Sequence, residues 1–382
     1  MARATRLAAD AEPVLGCRFV ERPWQCFWER RDDLDQLELC TLERNAATEE
    51  RLLHFMSAPG DPRVDPLLRV LVLRSEVDTI CIRLDHVAAD ASGLRDCAAL
   101  IASIYARLGD DPQYRPEGNW HGDRSFGQVF RQFSFADKAA ALLRSRGKVR
   151  AWRFPTTNDT CVHRAFAFRR IPADRLPALR AYRLAHQATT NDVLLTAFFR
   201  ALFEVIDPPM GGYLTVQFSV DLRHYLPEER AGSICNLASG VFPSIERRAD
   251  EPFDATLVRV RDAMRSIEAN SPGLRVTMLV EVISKLGLRL AREVASLLVL
   301  RNDKMIVPVF SNLGGLGARV NFGSPRITDG YLVGPIMLPR AFMLALSASA
   351  SAITLSVGFC EPGTNRATVE RLLDVIDREL PK

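Results

Sequence analysis

Histidine and tryptophan are scarce in this chain, six and four in 382 residues, and its eight cysteines all stand alone without a Cys-x-x-Cys pair. That spacing excludes a cysteine-based zinc module, and it reads as a reduced, cytoplasmic protein with inert core thiols at Cys17, Cys26, Cys40, Cys81, Cys97, Cys161, Cys235 and Cys360. An excess of one charge sign is missing too. The formal net charge is +4, and acids interleave with arginines as in Glu29-Arg30-Arg31-Asp32-Asp33, which leaves no basic footprint for nucleic acid. No uninterrupted apolar stretch is long enough to span a bilayer. The longest candidate, Val280 to Leu300, is broken by Glu281, Lys285, Arg289, Arg292 and Glu293, and is expected to be one amphipathic helix packed on protein, with contact at a membrane surface as the alternative. The first residues lack the apolar core of a secretion signal. Gly314-Gly315-Leu316-Gly317 lacks the Lys-Ser/Thr of a phosphate loop, and there is no Gly-x-Ser-x-Gly nucleophile turn.

What is present concentrates in one segment. In Thr79 to His86 the apolar Ile80, Ile82 and Leu84 alternate with Cys81, Arg83 and Asp85, so the stretch reads as a strand and His86 falls in phase with its apolar face, expected to point inward. Leu68 to Arg74 reads as a partner strand, joined to it by the polar turn Ser75-Glu76-Val77-Asp78. Downstream, Leu94, Ala98, Ile101, Tyr105 and Leu108 recur at helical spacing, with Ser92 expected as the N-cap. His86 and Asp90 thus share a short loop held at both ends. A histidine so placed suits a general base, since its unperturbed pKa lies near working pH. The same residues allow a hydrogen-bonded core histidine, whereas a metal site would need more ligands than one His and one carboxylate.

The remaining pattern is a mixed α/β chain long enough for two cores. A first half with strand-like Val14 to Val20 and an apolar run around Leu37 to Leu42 ends in the polar interval Pro155 to Thr160, and the domain boundary is set there, giving units 1–159 and 160–382. In the second unit Val193 to Phe203 is apolar nearly all round, a buried helix capped by Thr189 or Thr190. Leu214 to Asp221, Ile306 to Phe310 and Ile353 to Phe359 read as strands, and a last helix carries Val369, Leu372, Leu373, Ile376 and Leu380.

The loop Asp85-His86-Val87-Ala88-Ala89-Asp90 resembles the HHxxxDG signature of the condensation-domain, or chloramphenicol acetyltransferase-like, superfamily of acyltransferases. Three further stretches resemble the same superfamily in the same order: Thr190 to Leu195, Val220 to Pro227 followed by Ile234-Cys235-Asn236, and Phe310 to Gly314. The resemblance implies two lobes of mixed sheet and helix with an active-site tunnel between them. It implies that His86 is the general base of a stand-alone acyltransferase, moving an acyl group from acyl-CoA or from the phosphopantetheine arm of an acyl or peptidyl carrier protein to a hydroxyl or amine on a small-molecule or lipid acceptor. No tightly bound cofactor and no metal is implied. Asp90 would hold the loop through Arg223, and Asp85, Gly93, Asn236, Ser311 and Asn312 would line or flank the tunnel. The chain departs from the signature at Asp85, which replaces the first histidine, and at Ala91, which replaces the glycine, Gly93 following two positions later. His86 also comes early, so the first strand and part of the first helix of the fold are expected to be missing. The competing reading is a non-catalytic condensation-like protein that binds a carrier protein or another partner.

Overall fold

The computed structural model describes residues 1–44, 48–143, 152–296, 306–317, 319–349 and 351–382. Its first part runs α1 (Ala2–Ala11), the hairpin β1 (Cys17–Glu21) and β2 (Cys26–Arg30), β3 (Cys40–Arg44), α2 (Thr48–Ser57), β4 (Leu68–Arg74), β5 (Thr79–Leu84), α3 (Ala91–Asp110), a single turn α4 (Gly127–Phe130) and α5 (Phe135–Leu143). β4 lies centrally in a three-stranded sheet, parallel to β3 and antiparallel to β5. The hairpin and the helix after it follow the expected pattern. α3 buries Cys97, Ala98, Ile101, Ala102 and Ile104, its apolar stripe, and packs against α1, whose Ala4, Leu7, Ala8 and Ala11 are closed to solvent. Among the described residues β5 pairs only with β4, and its other edge is open.

The second part begins with β6 (Cys161–Pro172), α6 (Leu176–Ala185), α7 (Thr190–Ile206), β7 (Tyr213–Thr215), β8 (Gln217–Asp221), β9 (Ala238–Val241) and β10 (Ser244–Glu246). It continues with α8 (Phe253–Glu268), α9 (Leu274–Ser284), α10 (Leu288–Ala295), β11 (Val309–Asn312), β12 (Met343–Ala348), β13 (Ala352–Pro362) and α11 (Arg366–Glu379). A six-stranded mixed sheet in the order β6-β13-β12-β11-β8-β9 carries the main core, with α7 packed between α8 and α11. Phe198, Phe199, Phe310, Leu355 and Leu372 are sealed in that core, where truncating any one of the three phenylalanines to alanine removes about 3–5 kcal/mol. α7 starts on a reciprocal cap: the Thr189 hydroxyl accepts from the Asp192 N–H while Asp192 accepts from the Thr189 N–H, as its Thr-x-x-Asp spacing allows.

Several expectations give way to local chemistry. Asp90, not Ser92, caps α3, because the carboxylate reaches the Gly93 N–H at 2.8 Å. The stretch from Val14 opens as a 3-10 turn over Pro13–Gly16, a start that the fixed φ of Pro13 favours, and extends as strand only from Cys17. The alternating run from Leu214 to Asp221 divides between two sheets, β7 pairing with β10 and β8 joining the large sheet. β11 begins at Val309 rather than Ile306. The helix expected over Val280 to Leu300 is two helices separated at Gly287, whose φ of +81° places it in the left-handed region, and positions 297–300 lie outside the described residues. The cysteines are not all free thiols. Cys161 and Cys360 form a disulfide, because the β6/β13 pairing brings the first residue of one strand beside the end of the other. No helix of the described residues is long and apolar enough to cross a membrane.

Candidate active site

The turn between β5 and α3 sits at the wall of a cavity of about 940 Å³, near the upper end of ordinary small-molecule pockets. Its lining comes from both halves of the chain: β5 and α3 on one side, β6 and the segment from Leu313 to Leu338 on the other. His86 is exposed to this space rather than turned into the core. The β5 alternation places Ile80, Ile82 and Leu84 against the core under α3, but the strand ends at Leu84, and the chain turns before His86 can follow them.

The ring is held from one side. The Asn236 Nδ2 lies 3.1 Å from the His86 carbonyl oxygen and 3.2 Å from its Nδ1, while the Asn236 Oδ1 accepts from the Ala238 N–H at 3.2 Å. The last bond orients the amide so that its NH₂ faces the histidine, an arrangement that favours Nδ1 as the acceptor. A neutral ring bonded in this way carries its proton on Nε2. Asp85, half-buried at the cavity wall, uses its carboxylate to accept from the Val87 N–H at 3.0 Å, which tightens the turn.

Four residues on, Asp90 is closed to solvent and fully engaged. One carboxylate oxygen accepts from Gly93, and the other accepts from Arg223 Nη1 at 2.8 Å and from the Leu237 N–H at 2.7 Å. The Asp90 and Arg223 side chains are 6% and 5% exposed. Arg223 also donates from Nη2 to the Cys235 carbonyl at 2.8 Å and from Nη1 to Asp221 at 3.0 Å. Burial works against the Arg223 charge, but the adjoining Asp90 and Asp221 outweigh it and hold the guanidinium above its ordinary pKa. Burial likewise pushes the neighbouring Cys235 thiol up to about 11. The sequence-predicted pairing of Asp90 with Arg223 is thus a contact in the structure.

Gly93 has a steric reason to be glycine. A Cβ there would lie 2.8 Å from the Cys235 carbonyl oxygen and 2.8 Å from the Ala89 Cβ, so α3 approaches the 235–237 segment through the bare backbone. Ser311 and Asn312 are not brought to His86. Ser311 is buried in β11, and the Asn312 amide donates to Asn191 Oδ1 at 2.7 Å, tying β11 to the start of α7, while neither residue lines the cavity. Asp221 is a residue that the sequence reading did not single out. It accepts from the Ser92 hydroxyl at 2.5 Å, and Ser92 in turn accepts from Arg95 at 2.5 Å, so Asp221 links the first turn of α3 to Arg223. Its signal was the Asp-x-Arg spacing, where Asp221 accepts from the Arg223 N–H at 3.0 Å as a local turn. Among the described residues no group of three or more His, Cys, Asp or Glu is placed to hold a metal ion.

No protein-family model matches the chain, and no curated protein sequence matches it significantly. Solved structures do match in fold. The epimerization domain of the third module of tyrocidine synthetase B is 15% identical, with 99% of this chain and 86% of that one covered at a TM-score of 0.65. The first condensation domain of the CDA synthetase is 14% identical, with 100% and 88% covered at 0.65. The trichothecene 15-O-acetyltransferase of Fusarium sporotrichioides is 14% identical, with 99% and 84% covered at 0.70. The chain therefore shares the fold of these epimerization, condensation and acetyltransferase structures, the fold its loop motif implied.

Proposed function

We propose that this chain is an acyltransferase that moves an acyl group from a thioester to a hydroxyl or amine, with His86 at the reacting atoms. The observation that carries this reading is the placement of His86: exposed to a large two-sided cavity, on a turn whose other end is locked by the buried Asp90–Arg223 pair. The donor is acyl-CoA or an acyl group on a carrier protein's phosphopantetheine, a partner class in keeping with the synthetase domains that share the fold.

In the reaction, the acceptor oxygen or nitrogen attacks the thioester carbonyl while its proton passes to His86. The tetrahedral oxyanion then collapses, the C–S bond breaks, and the proton leaves with the thiol. Holding donor and acceptor in one cavity supplies much of the rate, and proton transfer adds about two to four orders of magnitude. His86→Ala should remove that factor, measured as free-thiol release from a panel of acyl thioesters. Turnover that survives the substitution would end the assignment.

A second role for the same ring follows from Asn236. With Nδ1 accepting from the amide, the neutral imidazole presents an N–H at Nε2, which suits donation to the oxyanion rather than proton abstraction. Asn236→Ala frees Nδ1 and separates the two roles. Under base catalysis the rate at neutral pH holds or rises, because the Nδ1–H tautomer becomes accessible. Under oxyanion donation it falls, by up to about the two to three orders typical of such a donor. The ¹⁵N shifts of the His86 ring in both proteins report the tautomer directly.

A further inference from the structure

Away from His86, three guanidinium groups on the cavity wall, Arg83, Arg164 and Arg326, have no carboxylate partner among the described residues, and the first two lie on the strands β5 and β6. Arg83 on β5 is half-buried; its only hydrogen bond among the described residues runs from Nη1 to the Phe55 carbonyl at the end of α2, at 3.3 Å. Arg164 on β6 is exposed to the same space, and no described residue bonds to it. Of the other charged groups on the wall, Arg326 lies on the exposed 323–329 stretch, whereas Arg74 pairs with Asp78 at 3.0 Å, Asp329 with Arg170 at 2.8 Å, and Asp90 with Arg223. Next to Arg83, Asp65 is taken by Arg69 at 2.7 Å, and the Asp85 carboxylate is turned to the backbone of its own loop. Burial, and after it repulsion from Arg69, depresses the Arg83 pKa, and Arg164 adds to the repulsion. Around the pair the wall is apolar, with Leu52, Met56, Phe166 and Ile336. A half-buried cation beside a second free cation, set in apolar surroundings, is costly unless an anion completes it.

We propose that Arg83 and Arg164 form an anion subsite that selects an acceptor bearing a carboxylate on an apolar body, an inference that rests on the acyl-transfer reading only for the ligand's role as acceptor. Arg83 lies on β5 and His86 on the turn beyond its end, so the carboxylate and the nucleophilic hydroxyl or amine are expected on different parts of the ligand. The guanidinium forks suit a carboxylate's two oxygens, and they suit a phosphate equally, so the donor's phosphates are the rival source of the same chemistry.

Calorimetric titration of the full chain with octanoate and with its neutral twin octanamide tests the subsite without turnover. The expected result is about tenfold tighter binding of octanoate, lost in the double variant Arg83→Gln/Arg164→Gln and kept in Arg83→Lys/Arg164→Lys. Octanamide binding serves as the check that each variant keeps its cavity. Should the double variant not fold, Arg164→Gln, which breaks no described contact, must by itself lower the preference. Equal binding of the two probes by the parent chain overturns the proposal. So does a loss of coenzyme A affinity in the Gln variants with octanoate binding unchanged, because the anion would then be the donor's phosphate. A chain that keeps the octanoate preference but releases no thiol from any acyl thioester retains the subsite and loses only the acceptor role.

Discussion

Asp90 and His86 leave the same short turn in opposite circumstances. Asp90 is sealed from solvent and accepts three hydrogen bonds from three separate segments, Gly93, Arg223 and Leu237. His86 faces an open cavity and meets one side chain, the Asn236 amide. The difference teaches how a reactive group is kept both free and in place. If His86 acts as proposed, the residue open to the cavity makes few contacts, and its position is set four residues away, where a buried, thrice hydrogen-bonded ion pair leaves the backbone little freedom.

The comparison can be broken from either end. His86→Ala should cost the most in rate, about two to four orders of magnitude, yet shift stability by no more than about 0.5 kcal/mol, since the residue is exposed. Thiol release and thermal melts on one preparation check both halves of that statement. Asp90→Ala should do the reverse: it leaves the buried Arg223 with only the part-exposed Asp221 as a carboxylate partner and frees the Gly93 and Leu237 N–H groups, so urea unfolding should register a loss of about 3–5 kcal/mol, with activity falling as a consequence. Pairing it with Arg223→Met should return part of the stability but not the activity, because removing both charges ends the electrostatic penalty without rebuilding the loop.

Gly93→Ala sharpens the contrast from a third side. The added methyl meets the Cys235 carbonyl at 2.8 Å, and the expected cost is about 1–3 kcal/mol, with a displaced α3 visible as altered ring shifts of His86. The smallest effect concerns the thiols around the site. Burial raises Cys97 to about 12 and Cys235 to about 11, so both remain neutral thiols at pH 8, well below those values. Alkylation of the native chain at that pH should label the exposed Cys26 first and leave Cys97 and Cys235 for the unfolded state, as peptide mass mapping would show.

The strand, the turn and the helix around His86 were legible because each is set by neighbours in sequence: alternation in β5, a polar turn before it, and a 3.6-residue stripe in α3. The cap was misjudged for a local reason, since Asp90 and Ser92 are both good caps and only the observed turn geometry gives the Gly93 N–H to the aspartate. The direction of His86 was misjudged for a different one. Alternation predicts a face only while the strand lasts, and β5 stops at Leu84. The contacts of Asn236, the Ser92–Asp221 bond and the arginines without a described carboxylate partner left no trace in the pattern, because they join positions more than a hundred residues apart or depend on which carboxylates other arginines have already taken.

By itself the sequence determined the type of chemistry on offer, a histidine and an aspartate at fixed spacing in a mixed α/β chain. Tertiary structure alone decided which of the two borders the cavity and which is sealed, which side chain meets the His86 ring, and which cations on the cavity wall have no carboxylate partner among the described residues. The physical reason is that hydrogen-bond valence and charge compensation are settled by three-dimensional neighbours. Periodicity, which a sequence does record, specifies only the side of an element on which a residue begins.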